Sequence, residues 1–169
     1  MAGRTCCFPP VWREDAKVLI LGSMPSVESL RQGFYYAHPR NAFWPMMAEI
    51  LGEGAPASIE EKKAMLIRHR IALWDSAQSC EREGSLDSAI REALPNDFEM
   101  LYANCPGIRH VLFNGAAAFD LYKKLVAKAD AQRAFHRMPS TSPAYTLKYE
   151  SKRAAWEQAL KEAGIDESH

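Results

Sequence analysis

The unbroken apolar run from Val18 to Leu21, which ends at Gly22, constrains the fold more than any other feature of this sequence. Both alternating sets of positions are apolar, which is typical of a strand buried on both faces, as in a parallel sheet. Ligands of such sheets bind just beyond the carboxyl ends of the strands. Helical spacing resumes only at Phe43 and Trp44, so the connection is about twenty residues long, against the usual ~2 to 6. We therefore expect this loop to be functional.

Three later apolar runs predict three more strands, from Ile71 to Trp74, from His110 to Phe113 and from Ala134 to Met138. Helices are predicted at residues 42–51, 58–69, 86–94, 97–103, 116–128 and 148–163, with a loop at 76–88. This alternation favours a parallel sheet with helices on both faces. The predicted fold class is therefore α/β, a three-layer sandwich with a central, mainly parallel four-stranded sheet flanked by helices, in a single domain spanning residues 1–169.

Polar loops follow all four predicted strands and begin at Ser23, Asp75, Asn114 and Ser140. Each loop taken alone is more typical of an ordinary turn, since Asn-Gly and Pro-Ser are common turn pairs. Parallel strands bring their carboxyl ends to one edge of the sheet, so the four loops are expected to converge there. Their coincidence predicts a single polar site.

Composition excludes several classes of protein. The four cysteines include no C-x-x-C pair and no histidine at zinc-finger spacing, so we expect free thiols in a reducing cytoplasm and no metal site. The sequence contains neither an apolar run of the ~20 residues that span a bilayer nor a signal-peptide core, so no membrane partner is expected. Twenty-one basic and twenty-one acidic residues give a formal net charge of zero. Any contact with a polyanion must therefore be local.

Two segments resemble motifs of a known family. Y-A-H-P-R-N-A-F-W, from Tyr36 to Trp44, resembles the motif after the first strand in the mismatch-uracil branch of the uracil-DNA glycosylase superfamily, and M-P-S-T-S-P, from Met138 to Pro143, resembles its second motif. With G-S-M-P-S (22–26), S-C-E-R-E-G-S (79–85) and F-N-G (113–115), the pattern is most similar to the hypoxanthine-DNA glycosylase family. The resemblance implies a monofunctional enzyme that flips and excises deaminated bases, chiefly hypoxanthine from deoxyinosine, and leaves an abasic site. It implies double-stranded DNA as the partner, no cofactor and a monomer.

Two residues depart from the wider superfamily. Met24 stands where many members have an Asp or Asn that positions water, and Met138 stands where a His often stabilises the leaving base. A thioether is only a weak acceptor and no donor, so it cannot do either task. In the hypoxanthine-specific family the Asn of H-P-R-N is catalytic, which assigns catalysis here to Asn41.

The resemblance also implies roles for the remaining site residues. Tyr36 is expected to stack on the flipped base, Asn114 to meet the base edge, and Gly22 and Ser23 to border the base. Contacts with DNA are expected from the second motif and from one nearby arginine: Ser140, Thr141, Ser142, Pro143 and Arg40. Phosphate contacts of this kind position the DNA without reading its sequence.

Several alternatives remain open at this stage. For His38 a hydrogen bond within its loop is favoured over catalysis, while Asp75 could activate water or cap the next segment. Arg40 could contact DNA or pair with Asp75 or Glu28. A solvated helix face is the default for Lys148, Lys152 and Arg153. The alternatives to hypoxanthine excision are a uracil or mismatch glycosylase of the same superfamily and a nucleic-acid binding module that kept the fold and lost the chemistry.

Overall fold

The computed structural model describes residues 4–126 and 132–165, which form seven strands and six α-helices. The strands are β1 (Arg4–Cys6), β2 (Val18–Gly22), β3 (Ile71–Asp75), β4 (Ala77–Glu81), β5 (Arg91–Pro95), β6 (His110–Asn114) and β7 (Ala134–Met138). The helices are α1 (Val27–Gln32), α2 (Phe43–Ile50), α3 (Ile59–Arg68), α4 (Phe98–Asn104), α5 (Ala116–Leu125) and α6 (Tyr149–Glu162).

The central sheet has the strand order β3-β2-β6-β7, and every neighbouring pair is parallel. Gly22 pairs with Asp75 in register, and Asn114 pairs with Met138, so the four strands end along one edge. The predicted parallel four-stranded sheet is confirmed.

Each face of this sheet carries its own layer of helices. Val18 and Ile20 pack with residues of α2, α3 and α6, such as Trp156, whereas Leu19 and Leu21 pack with residues of α4 and α5. All five residues of β2 are buried, which explains why the run is apolar at successive positions. The three-layer arrangement is therefore the one that the sequence predicted.

The prediction was wrong between residues 76 and 95. In place of a loop followed by a helix at 86–94, β4 pairs antiparallel with β1 and β5 in a second, three-stranded sheet. The segment I-R-E-A-L contains good helix formers, but its pairing with β4 overrides that local preference. Glu92 has a φ of 50°, in the left-handed region, which is incompatible with a right-handed α-helix through this residue.

The sequence predicted a loop for the whole connection between β2 and α2. The structure instead has a short helix, α1, within it. Ser26 caps its first turn by accepting a hydrogen bond from the Ser29 N–H at 3.1 Å, and Gly33 ends it at φ 81°. The predicted helix 116–128 ends at Leu125, and its last two predicted positions lie outside the described residues. No described helix is long and apolar enough to cross a bilayer.

Candidate active site

A cavity of about 110 Å³ lies at the carboxyl edge of the central sheet. The first residues of all four predicted loops line it: Ser23, Asp75, Asn114 and Ser140. The sequence-predicted residues that also line it are Gly22, Tyr36, Asn41, Thr141 and Ser142. Parallel strands that end in register account for this convergence, because each strand delivers its following loop to the same edge.

Asn41 precedes α2 and presents its amide to the cavity in a defined orientation. Its Oδ1 accepts a hydrogen bond from the Phe43 N–H at 3.0 Å, and its own N–H donates to the His38 carbonyl at 2.9 Å. Because a backbone N–H can only donate, it fixes which end of the Asn41 amide is the oxygen. The Nδ2 group donates no hydrogen bond to any residue in the described part of the chain. Asn41 can therefore donate from Nδ2 to a ligand while its oxygen holds the start of α2.

Tyr36 reaches the end of β2 from the loop after α1. Its ring stacks on Phe43 with centroids 4.3 Å apart, so only the opposite face remains for a base. A Cβ added to Gly22 would lie 2.7 Å from Tyr36 Oη and 2.6 Å from Asp75 Oδ1. The absence of a side chain at Gly22 is therefore what allows both oxygens to approach. We call Gly22, Tyr36 and Asp75 the cavity floor.

Backbone strain and burial mark Tyr36 as an unusual residue. It adopts φ 52°, a left-handed conformation that costs a non-glycine residue on the order of 1–3 kcal/mol. Burial, with the negative charge of Asp75 as the second cause, raises the pKa of Tyr36. Its hydroxyl oxygen is buried and has no hydrogen-bond partner within residues 4–126 and 132–165. The phenol stays protonated and is available as a donor.

Asp75 ends β3 and is only 2% exposed. Burial raises the pKa of its carboxyl to about 7. The positive charge of Arg82 lowers this pKa, and the negative charge of Asp87 raises it. Asp75 Oδ2 has no hydrogen-bond partner in the described part of the chain. The N–H groups of the next two residues, Ser76 and Ala77, donate to the carbonyls of Gly22 and Ser23 and not to this carboxyl. Asn96 Nδ2 donates to the backbone carbonyl of Asp75 at 2.7 Å and fixes the residue from outside the cavity.

Residues 139–142, which we call the serine loop, are bonded to β6 through Asn114. Asn114 Oδ1 accepts from the Thr141 N–H, and Asn114 Nδ2 donates to Thr141 Oγ1, both at 2.9 Å. Thr141 is 1% exposed and its hydroxyl accepts a hydrogen bond from Asn114, so its expected contact with DNA stays a prediction. One Nδ2 proton of Asn114 is left for a ligand.

The two serines of this loop are more open than Thr141. Ser140 Oγ accepts from the Ser142 N–H at 3.1 Å, and Ser142 Oγ accepts from the Ala144 N–H at 3.1 Å. A Cβ at Gly115 would lie 3.3 Å from the Ser140 Cβ, so the glycine allows the loop to approach β6 closely. The serine hydroxyl protons remain free to donate.

Lys152 on α6 contacts the serine loop through a hydrogen bond to its backbone. The expectation of a solvated helix face is wrong for this residue, because it is 5% exposed and its Nζ donates to the Ser142 carbonyl at 3.1 Å. Burial lowers the pKa of Lys152. Lys152 therefore holds a positively charged group against the serine loop. The sequence pattern of α6 did not reveal this contact, because it joins residues of two different elements.

Apart from Ser23, the wall opposite the serine loop consists of residues for which the sequence predicted no individual role. Ser23 Oγ donates to Asp87 Oδ1 at 2.6 Å, and Ser85 Oγ accepts from the Val27 N–H at 2.8 Å. The buried guanidinium of Arg82 donates to the Pro25 carbonyl and lies 3.9 Å from Asp87. The segment S-C-E-R-E-G-S was noticed as part of a motif, and its function in the structure is to tie β4 to the loop after β2.

A comparison with known families now places the chain. The family model described as "Uracil DNA glycosylase superfamily" matches residues 9–163. The chain belongs to the uracil DNA glycosylase superfamily. It is accordingly a DNA glycosylase, an enzyme that hydrolyses the N-glycosidic bond of a DNA base.

Curated relatives and a solved structure are similar to this glycosylase along most of their length. It is 36% identical to the hypoxanthine DNA glycosylase of Methanosarcina acetivorans and 33% identical to that of Methanosarcina barkeri, in each case over 91% of this chain and 96% of the relative. A solution NMR structure from Methanosarcina acetivorans, described as a candidate uracil DNA glycosylase, aligns with a TM-score of 0.81 at 33% identity, covering 96% of this chain and 99% of the other.

Three predicted residues of the glycosylase lie outside the cavity or beside it. Arg40 and Pro143 are exposed and do not line it. His38 Nδ1 accepts from the Arg40 N–H at 3.0 Å, which is the loop hydrogen bond that the sequence favoured. Among the described residues Arg40 forms no ion pair with Asp75 or Glu28, and Glu28 is paired with Arg31 at 2.6 Å. Within the described ranges no three His, Cys, Asp or Glu side chains are grouped as metal ligands.

Proposed function

We propose that this glycosylase excises hypoxanthine from deoxyinosine in double-stranded DNA and leaves an abasic site. The observation that carries the proposal is the orientation of Asn41, whose Oδ1 accepts from the Phe43 N–H while Nδ2, at the cavity, bonds to none of the residues that the structure describes. The names of both Methanosarcina relatives support hypoxanthine as the base. The proposed reaction is monofunctional hydrolysis, as expected for base excision repair.

Excision requires the base to leave the helix. A target nucleotide is flipped by ~180° into the enzyme, at a cost that is least for a mispaired or damaged base. The cavity is small and polar, so the sugar and phosphates stay outside it at the rim. The C1′–N9 bond then breaks, its electron pair leaves with the purine, and water supplies the hydroxyl that C1′ gains.

Asn41 acts on the charge that develops during this step. A donor that is fixed in advance and aimed at the departing base stabilises the transition state more than the ground state. The Phe43 N–H fixes the amide before the base arrives, so no reorientation is needed at the moment of reaction. An Asn amide could orient water through its oxygen or donate through its nitrogen, and because the Asn41 oxygen already accepts from Phe43 we assign Nδ2 as a donor to the departing base.

The other predicted base contacts keep their proposed place around the base. Asn114 offers its remaining Nδ2 proton to the base edge, and the open face of the Tyr36 ring is the surface on which the base can stack. Gly22 leaves room at the floor, and Ser23 is held by Asp87 at the opposite wall.

The DNA backbone is proposed to lie against the serine loop and its surroundings. Ser140 and Ser142 have free hydroxyl protons, and Lys152 adds a positive charge behind them. Thr141 contributes by fixing the loop to Asn114, while exposed Pro143 and Arg40 are placed to meet the duplex outside the cavity. A local clamp of this kind fits a chain whose formal net charge is zero.

We propose further that one chain and one domain suffice for activity, since the loops after all four strands of a single sheet line the cavity. All four cysteines are free thiols, which is typical of a reducing compartment such as the cytoplasm.

Uracil is the second candidate base, since the similar NMR structure is described as a candidate uracil DNA glycosylase. A panel of duplexes that differ only in one base, carrying hypoxanthine, uracil, xanthine or adenine, tests the choice. We expect alkali-sensitive breaks to form fastest with hypoxanthine. Faster excision of uracil than of hypoxanthine would replace the proposed substrate, and tight binding without breaks would favour the binding-module alternative.

A further inference from the structure

The cavity floor contains two buried oxygens without protein partners. Tyr36 Oη and Asp75 Oδ2 are both buried, and neither has a hydrogen-bond partner within residues 4–126 and 132–165. Leaving a buried polar group unpaired costs on the order of 1–3 kcal/mol. Two such groups on adjacent side chains of one cavity indicate that a ligand supplies the missing partner.

Gly22 defines the point at which these side chains meet. Asp75 Oδ1 and Tyr36 Oη both lie against its Cα, at 2.6 Å and 2.7 Å from the position that a Cβ would take. Those oxygens therefore border the same small space. One polar atom of a ligand that approaches this pair from the cavity can reach both side chains, and a Cβ at position 22 would push the two oxygens out of place.

The ionisation state of the two groups decides what that atom must be. A phenol with a raised pKa is a donor, and burial holds a carboxyl such as Asp75, with a pKa of about 7, largely in its acid form below neutral pH. A carboxylic acid kept neutral by its surroundings can donate to a developing oxyanion. The titratable or charged side chains that face Asp75 are Cys7, Tyr35, Tyr36, Arg82 and Asp87.

Two donors select an oxygen and reject an amino group. Hypoxanthine carries a carbonyl oxygen at the position where adenine carries an amino group, and uracil differs from cytosine in the same way. We propose that the un-ionised Asp75 carboxyl and the Tyr36 hydroxyl together donate to the carbonyl oxygen of the flipped base, as catalytic residues that stabilise the departing base and exclude bases that carry an amino group at that position. This inference rests on the proposed function and names the chemical feature that the site reads.

The step involves hydrogen bonds and no proton transfer from either residue. When C1′–N9 breaks, the electron pair enters the purine ring system and spreads to the carbonyl oxygen. Water gives its hydroxyl to C1′, and its remaining proton goes to the released base. An ionised Asp75 would repel the negative base, so excision is expected to slow as Asp75 loses its proton.

The test is the pH dependence of excision of a deoxyinosine duplex at substrate concentrations below saturation, from about pH 5.5 to about pH 9, where rates report groups of the free enzyme. We expect the wild-type rate to fall by about tenfold per pH unit above a midpoint near 7. Asp75→Asn keeps a donor that does not ionise, so its profile should lack this fall and exceed the wild type at the highest pH. Tyr36→Phe keeps the ring for stacking and should lose on the order of tenfold or more at every pH.

Asp75→Leu, which removes every donor at similar size, should lose on the order of 10² in rate. Asp120→Asn, on the exposed side of α5, serves as the matched control and should follow the wild-type profile. An unchanged fall with pH in Asp75→Asn, or equal inactivity of the Asn and Leu variants while both remain folded, would overturn the inference and leave the proposed function intact. Absence of hypoxanthine excision by the wild type would overturn both.

Discussion

The cavity floor and the serine loop are both polar and both line the cavity, but they use their polar groups differently. In the serine loop Thr141 exchanges two hydrogen bonds with Asn114, and Ser140 accepts one from the Ser142 N–H. In the floor the Tyr36 hydroxyl and Asp75 Oδ2 accept or donate no hydrogen bond within the described ranges 4–126 and 132–165. Groups that bond each other fix the shape of a site, whereas unpartnered groups remain available to a ligand. The comparison therefore assigns positioning to the loop and base recognition to the floor.

The largest effect is expected at Asn41, whose amide combines both behaviours. Asn41→Asp keeps an oxygen for the Phe43 N–H and replaces the Nδ2 donor by an acceptor. Single-turnover excision of hypoxanthine should fall by ~10² to 10³, while the melting temperature stays unchanged or rises, since a negative charge suits a helix N-terminus.

Asn41→Ala should lose a similar factor in rate and in addition ~1 kcal/mol of stability, because it removes the bond to α2. Asn104→Asp, on α4 and outside the cavity, is the matched control. A lowered melting temperature with a near-normal rate in Asn41→Ala would reduce Asn41 to a structural residue.

Gly22→Ala should be next in size because it fills the floor. The new methyl group would lie 2.6 Å from Asp75 Oδ1 and 2.7 Å from Tyr36 Oη, and displacing catalytic groups by even ~1 Å can cost on the order of 10²-fold in rate. We expect that loss in excision, with much weaker effects on binding of undamaged DNA. Gly54→Ala, whose Cβ would meet no atom within 4 Å, is the control. Equal activity of the two variants would show that excision does not depend on the close approach of these two oxygens to Gly22.

Stability should reveal the unpaired carboxyl of Asp75 independently of catalysis. Its native pKa of about 7 is raised from 3.8, so its contribution to stability is fully present below pH ~4 and is lost as the pH rises through ~7. At pH ~8, Asp75→Asn avoids the buried charge but still buries an amide, which leaves an expected net gain of about 1 to 2 kcal/mol.

Denaturant unfolding of both proteins at pH ~4 and ~8 measures this difference. The advantage of the Asn variant should shrink or vanish at the lower pH. An advantage that does not change with pH would mean that Asp75 ionises normally in the native protein.

The smallest effect on DNA binding is expected in the serine loop, where the serine hydroxyls already accept hydrogen bonds from N–H groups of the protein. Replacing Ser140 and Ser142 together by Ala should weaken DNA binding by about 1 kcal/mol, and by the same factor in different sequence contexts, because phosphate contacts carry little base information. The control is the exposed pair Ser88→Ala and Ser151→Ala. A loss confined to one lesion base would place these serines at the base and not at the phosphates.

The sequence predicted the parts of the molecule that local pattern determines. The four parallel strands are apolar because both faces are covered, and their following loops had to meet at one edge. The segment from Arg91 to Pro95 was assigned wrongly because its strand pairing with β4 depends on residues distant in sequence. Within the site, the motif identified Asn41, but burial without a partner at Asp75 and the burial of Lys152 against Ser142 are tertiary facts. In the sequence alone, neither Asp75 nor Lys152 differs from an ordinary exposed polar residue, and only the folded structure shows that both are buried.

The central claim is that this glycosylase excises hypoxanthine by means of the polar groups of its cavity. Identification of the reaction products tests this claim most directly. A deoxyinosine duplex is incubated with the wild-type protein, and the free base and the abasic sites are quantified from the same sample by mass spectrometry and alkaline cleavage. The account predicts free hypoxanthine and abasic sites in equal amounts, with the strand intact before alkali. Strand breaks without free hypoxanthine, or tight binding with neither product, would contradict it.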